Sequence, residues 1–105
     1  MAVEIKDDNF GQLIESFNGV ALVDFWATWC GPCQVMLPII EDLSKEIGER
    51  ARIGKVNVDE NPKTAEKFGI MSIPTLIIFK DGKEITRFSG VQAKETLKEE
   101  IEKLL

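Results

Sequence analysis

The run Val20 to Trp26 (VALVDFW) constrains the fold more than any other stretch of this chain, because it is rich in strand formers and apolar everywhere but Asp24. A strand wetted on one face alternates apolar and polar residues. One that is apolar throughout is covered on both faces, which calls for helices above and below a central sheet. Asp24 is the exception to explain. Burial disfavours its charged form, so its pKa should rise and it should hold a proton near neutral pH, unless it reaches solvent or caps a local N–H.

The flanking sequence supplies the covering layers. Val3-Glu4-Ile5 alternates like a short strand, and Asp7 or Asp8 can cap a following helix with Phe10, Leu13, Ile14 and Phe17 at helical spacing, stopped by Asn18-Gly19. Val35, Leu37, Ile39, Ile40, Leu43 and Ile47 predict a long helix ending near Gly48, with a kink at Pro38. Arg52 to Val58 reads as a strand, and Asn61-Pro62 opens a short helix holding Ala65 and Phe68 before Gly69. Ile73 to Phe79 and Glu84 to Phe88 predict an antiparallel pair, because the Asp81-Gly82 between them is a tight-hairpin signal. Leu97, Ile101, Leu104 and Leu105 mark one face of a last helix, weakly capped because Gln92-Ala93 has no capping side chain. The expectation is an α/β fold ordered β-α-β-α-β-α-β-β-α: a mixed sheet of five strands, parallel with an antiparallel hairpin, flanked by four helices.

With 105 residues, the chain has room for one domain with a real core. No apolar run reaches the roughly 20 residues needed to span a bilayer, so no membrane partner is expected. The N-terminal segment meets acidic residues before any apolar stretch and does not read as a secretory signal, which points to a cytoplasmic protein. A formal charge of −5 with no basic cluster argues against nucleic acid.

Both cysteines lie in Trp29-Cys30-Gly31-Pro32-Cys33, between the buried strand and the long helix. Four uses compete. Structural zinc wants four Cys or His ligands, and the chain has two Cys and no His, so no metal is expected. Covalent haem wants His directly after the second cysteine, where Gln34 stands. A structural staple gains from closing a long loop, and this one closes almost none. A reversible dithiol fits best. At a helix N-terminus, free N–H groups and the dipole favour a thiolate at Cys30, while Cys33 lies deeper in the first turn. A free thiol with pKa near 8.5 is about 3% ionised at pH 7, and lowering it by ~1.5 units takes about 2 kcal/mol. The helix end supplies ~0.3 to 1 kcal/mol, up to ~2, so direct N–H hydrogen bonds must share the work. Pro32 suits a first turn because its missing N–H would have no partner there, and Gly31 leaves the sulfurs unobstructed.

With that motif at a strand-to-helix junction, the chain resembles the thioredoxin family over essentially every element. The resemblance is carried by FWATWCGPC (Phe25 to Cys33), Pro38, KVNVDENP (Lys55 to Pro62), GIMSIPT (Gly69 to Thr75), Asp81-Gly82 and Gly90. It implies a thioredoxin fold in which Pro74 follows a cis peptide bond opposite the dithiol. It also implies that Trp29, Gly69, Ile73, Gly90 and Val91 form a shallow platform for partner polypeptides, although Ile73 and Val91 could equally be core. Asp24 resembles the family's buried acid, which relays protons to the resolving thiol, and Lys55 its basic partner, although an exposed lysine is the commoner case. Trp26 reads as core and Trp29 as partly exposed.

Two departures stand out. Gln34 occupies a position where the family often has a cation, so reactivity should be slightly lower. Ser89 is more polar than is usual beside the docking surface. The expected activity is protein-disulfide reduction, with Cys30 as nucleophile and Cys33 as resolving thiol. No bound cofactor is expected. The implied partners are disulfide-containing target proteins and an electron donor such as thioredoxin reductase, and the expected state is a monomer. A thiol oxidase or isomerase on the same fold, a non-catalytic binding subunit and a generic small domain are the alternatives.

Overall fold

A computed structural model describes residues 1–105. Its five-stranded sheet is built from β1 (Val3–Glu4), β2 (Val20–Trp26), β3 (Arg52–Asn57), β4 (Thr75–Lys80) and β5 (Lys83–Ser89), in the spatial order β1-β3-β2-β4-β5. β1 and β2 run parallel to β3, whereas β4 runs antiparallel to β2 and to β5. The sheet is therefore mixed at its centre as well as at its hairpin edge. No helix is long and apolar enough to cross a membrane.

β2 lies at the middle because it can be covered on both sides. Val20 and Leu22 point into a cluster with Met36, Ile40, Leu43 and Ile47 of α1 (Gly31–Ile47) and Leu97 and Ile101 of α3 (Lys94–Glu102). Ala21, Val23 and Phe25 point the other way, onto Ile5, Phe10, Ile14 and Phe79. Phe68 joins that second face through tilted and edge-on ring contacts with Phe10, Phe25 and Phe79 at 5.2–6.2 Å. The alternation along β2 puts Asp24 on the α1 and α3 face, between Leu22 and Trp26.

The hairpin turns at Asp81-Gly82 with φ of 52° and 81°, the left-handed pair that a two-residue turn matching strand twist requires. Gly82 also lies against the Glu15 carbonyl, where a Cβ would collide. β5 forms an edge with mostly exposed residues, among them Lys83, Glu84 and Arg87. Such charges discourage pairing with another chain.

The first expected helix departs from a regular α-helix. Gly11–Glu15 forms a widened π-type turn, in which Ser16 N–H donates to the Gly11 carbonyl at 2.9 Å. Asp7 is not its cap. The Asp7 carboxylate instead accepts from Lys63 N, Thr64 N and Thr64 Oγ1 at 3.2, 2.8 and 2.6 Å, capping α2 (Pro62–Lys67) from a distant part of the chain. Desolvation is the largest single effect on its carboxyl and raises its pKa, but these bonds and the nearby Lys63 charge together outweigh it and hold the group below its ordinary value. Asn61, at the α2 boundary, accepts from Asp7 N at 2.9 Å and donates to the Asn57 carbonyl at 3.1 Å. Strand β4 begins at Thr75, later than the expected Ile73, because Pro74 has no N–H to give the ladder. α3 has Ala93 at its N-cap and no side-chain cap, as its composition implied.

Candidate active site

β2 ends at Trp26, and a short loop leads to Cys30, which takes the N-cap position of α1 with extended backbone angles (φ −88°, ψ 113°). Gly31 and Pro32 then occupy the first turn. Cys30 and Cys33 are disulfide-bonded with their Cα atoms 5.2 Å apart. Cys33 N–H donates to Cys30 Sγ at 3.2 Å. A helix-end N–H aimed at this sulfur supplies the direct hydrogen bond that the dipole alone could not replace. Cys30 keeps 5% of its surface exposed and Cys33 none, so the pair is asymmetric.

Around Cys30 the chain assembles a rim from separate segments. The Ile73 carbonyl lies 3.7 Å from Cys30 Sγ, next to the cis Ile73-Pro74 bond. Gly90 N–H donates to the Pro74 carbonyl at 2.8 Å, with Gly90 at φ 84°, and this tie brings Gly90 and Val91 to the same edge. Trp29 is 71% exposed, Val91 is 48% exposed and Ile73 is half-buried, so none of the three is simply core. Gly69 is exposed at φ 60°, just past α2. Met71, adjoining this rim, is almost wholly exposed and was not among the expected site residues. Trp26 is half-buried and packs beside Ala27, Cys30 and Cys33.

Two further contacts shape the loop around Trp29. Its indole N–H donates to Asp59 Oδ2 at 2.8 Å, and Asp59 N in turn donates to Asn57 Oδ1 at 3.0 Å. Sequence reasoning missed Asp59. The available signal was an acidic residue just after β3, whose C-terminal end shares the rim with that of its parallel neighbour β2. Gln34, which replaces a common cation, donates to the Thr28 carbonyl at 3.2 Å and braces the loop from the helix side.

Asp24 has no exposed surface, and neither carboxylate oxygen has a hydrogen-bond partner. Burial pushes its pKa up to about 7, against a smaller opposing pull from Lys55. Lys55 is the registered neighbour of Asp24 across β2 and β3, but its ammonium makes no ion pair with it. It lies 3.9 Å from Glu41 Oε1 and 5.8 Å over the Trp26 ring.

Neither surface cavity opens at the dithiol. The larger, about 480 Å³, is lined by Met1, Val3, Phe17, Ala51 and Arg52 at the start of β3, the opposite end of the sheet. A shallow, partly apolar rim without a pocket suits an extended polypeptide better than a small molecule. No group of three or more His, Cys, Asp or Glu is placed to hold a metal ion.

Comparison with known proteins gives the same picture over nearly the full length. A family model described as Thioredoxin matches residues 1–103. The thioredoxin of Staphylococcus saprophyticus is 54% identical over 103 residues, covering 98% of this chain and 97% of the relative. Thioredoxins of Staphylococcus haemolyticus and Staphylococcus aureus are 52% and 50% identical over the same shares. Similarity of that extent runs through the strand-to-helix junction carrying the bonded cysteines, and the chain therefore belongs to the thioredoxin family.

Proposed function

We propose that this chain, working as one domain over residues 1–105, is a general protein-disulfide reductase of the cytoplasm that acts as a monomer. Its chemistry is dithiol–disulfide exchange at Cys30 and Cys33. The observation that carries the reading is the asymmetry of the pair: Cys30 keeps a little exposed surface and its sulfur receives a helix-end N–H, whereas Cys33 has no exposed surface.

In the reduced protein, the Cys30 thiolate attacks one sulfur of a substrate disulfide. The substrate S–S bond breaks, a mixed disulfide forms, and the first substrate thiolate leaves and takes up a proton. Cys33 then loses its proton and attacks Cys30 Sγ, which expels the second substrate thiolate. The substrate gains two electrons and two protons, and Cys30–Cys33 is left oxidised. A separate dithiol reductase, such as thioredoxin reductase, must return the two electrons.

Asp24 is the proton acceptor for Cys33 in this reading. It lies on the sheet face that α1 covers, and a carboxyl titrating near 7 is matched to a thiol at neutral pH. Trp29, Gly69, Ile73, Pro74, Gly90 and Val91 form the docking surface for target proteins, where the Ile73 and Gly90 backbones can pair with an extended partner strand.

The test combines trapping with a redox titration. Cys33→Ser should accumulate a mixed disulfide at Cys30 with a disulfide-bonded target, and Cys30→Ser should accumulate none. The equilibrium potential of Cys30–Cys33, read by Trp fluorescence in dithiol buffer, should be strongly reducing. A value in the range of protein disulfide isomerase would assign the chain to oxidation or isomerisation instead. Absence of a reversible couple, with function surviving loss of both thiols, would leave a binding module.

A further inference from the structure

Asp24 and Lys55 face each other in register on β2 and β3, yet the lysine is engaged elsewhere. Its partner Glu41 belongs to α1, eight residues beyond Cys33 and about 12 Å along the helix. The other Glu41 oxygen, Oε2, accepts the Ala2 N–H at 3.2 Å, which tethers the carboxylate to the start of the chain. The Lys55 and Glu41 side chains are 26% and 30% exposed, so the pair sits where water still reaches both ends.

We propose that Glu41 is a positioning residue for the exchange reaction: by holding the Lys55 ammonium at the wet border of sheet and helix, it leaves Asp24 without a cationic partner. The inference rests on the proton-relay reading of Asp24. The groups facing Asp24 on its covered side are few. Lys55 is its neighbour on β3 with Glu41 beside that lysine, Leu76 is its neighbour on β4, and the residues that α1 and α3 bury against this sheet face, Met36, Ile40, Leu97 and Ile101, are apolar. Lys55 is the one charge that acts on the carboxyl, so where its ammonium is held decides which protonation state the site favours.

Energetics favour the arrangement seen. A Lys55–Asp24 pair would take both ions out of water, whereas the Lys55–Glu41 pair remains partly hydrated. Neutralising Glu41 removes the competing anion and frees the Lys55 ammonium to approach Asp24, which stabilises the ionised carboxyl. A carboxylate with a lowered pKa is a weaker base, so it takes the Cys33 proton less readily even though more of it is ionised at neutral pH.

The test is a 13C NMR titration of the Asp24 carboxyl in the oxidised full-length protein, where the cysteines do not titrate. Glu41→Gln should move the midpoint down by about one pH unit, and Glu41→Asp should stay closer to wild type. In a Lys55→Met background, Glu41→Gln should move it by less than a third as much. An unmoved midpoint in Glu41→Gln overturns the proposal, and so does a full shift that persists without Lys55. The pH profile of mixed-disulfide resolution should move in parallel with the titration. If Asp24→Asn leaves that profile unchanged while Glu41→Gln still shifts the Asp24 midpoint, the relay reading fails and Glu41's role in exchange falls with it, although the charge linkage stands.

Discussion

Replacing Asp24 by alanine should stabilise this protein in alkaline solution and do so less, or not at all, in acid. The native carboxyl titrates at about 7 in place of the ordinary 3.8, because burial penalises its charge. The folded state therefore binds a proton that the unfolded chain has already lost, and stability falls as pH rises through that window. The favourable contribution of the protonated acid is complete below about 3.8 and gone above about 7. At roughly 1.4 kcal/mol per pH unit, the full change is on the order of 4 kcal/mol. Alanine removes the titration and leaves a small cavity whose cost does not depend on pH, so the comparison across pH isolates the carboxyl. Urea unfolding of oxidised wild type and Asp24→Ala, followed by Trp fluorescence at pH 4.5 and 8.5, measures it. The stability difference should move in favour of the variant by about 3 kcal/mol between those two values. A difference that is the same at both would mean that Asp24 is ionised throughout, and the argument from its burial would fail.

Two structural contacts lead to further expectations. Asp7→Ala removes the carboxylate that caps α2 from outside its own segment, and it should cost about 1–2 kcal/mol in urea unfolding. Hydrogen exchange at Thr64 N–H should accelerate, whereas Asp8→Ala should leave both unchanged. Gly82→Ala places a Cβ at positive φ and against the Glu15 carbonyl, so it should destabilise by more than about 1 kcal/mol. Stability equal to wild type would show that the hairpin can shift away from Glu15.

Much of the architecture was legible because local pattern and tertiary role agreed. The boundaries of the buried strand Val20–Trp26 and of the helix ending at Gly48 follow from apolar runs, glycine stops and the Asp-Gly turn. Those signals depend on a few neighbouring residues. The dithiol was legible for the same reason, since Cys30 and Cys33 are three positions apart at a recognisable junction. The first helix was misjudged because its apolar spacing is real, yet Phe10 and Ile14 reach the core from a widened turn. Of its two candidate caps, Asp7 and Asp8, Asp7 found better donors in the open first turn of α2, whose own boundary residue Asn61 was already engaged.

From the sequence alone came the α/β alternation, the central place of β2, the presence of one carboxyl in an otherwise apolar strand and the position of a reactive sulfur at a helix N-terminus. Each is written in residues close enough along the chain to set a period or a cap. Tertiary structure alone decided the strand order, the antiparallel seating of β4 on β2, the bond from Trp29 to Asp59 and the choice of Glu41 over Asp24 by Lys55. In the side-chain cases the partners lie between 14 and 30 residues apart, too far for any local pattern to register. Several polar groups could have satisfied each one, and the packing of α1 and the loop after β3 onto the sheet selected among them by bringing one within reach and keeping another dry.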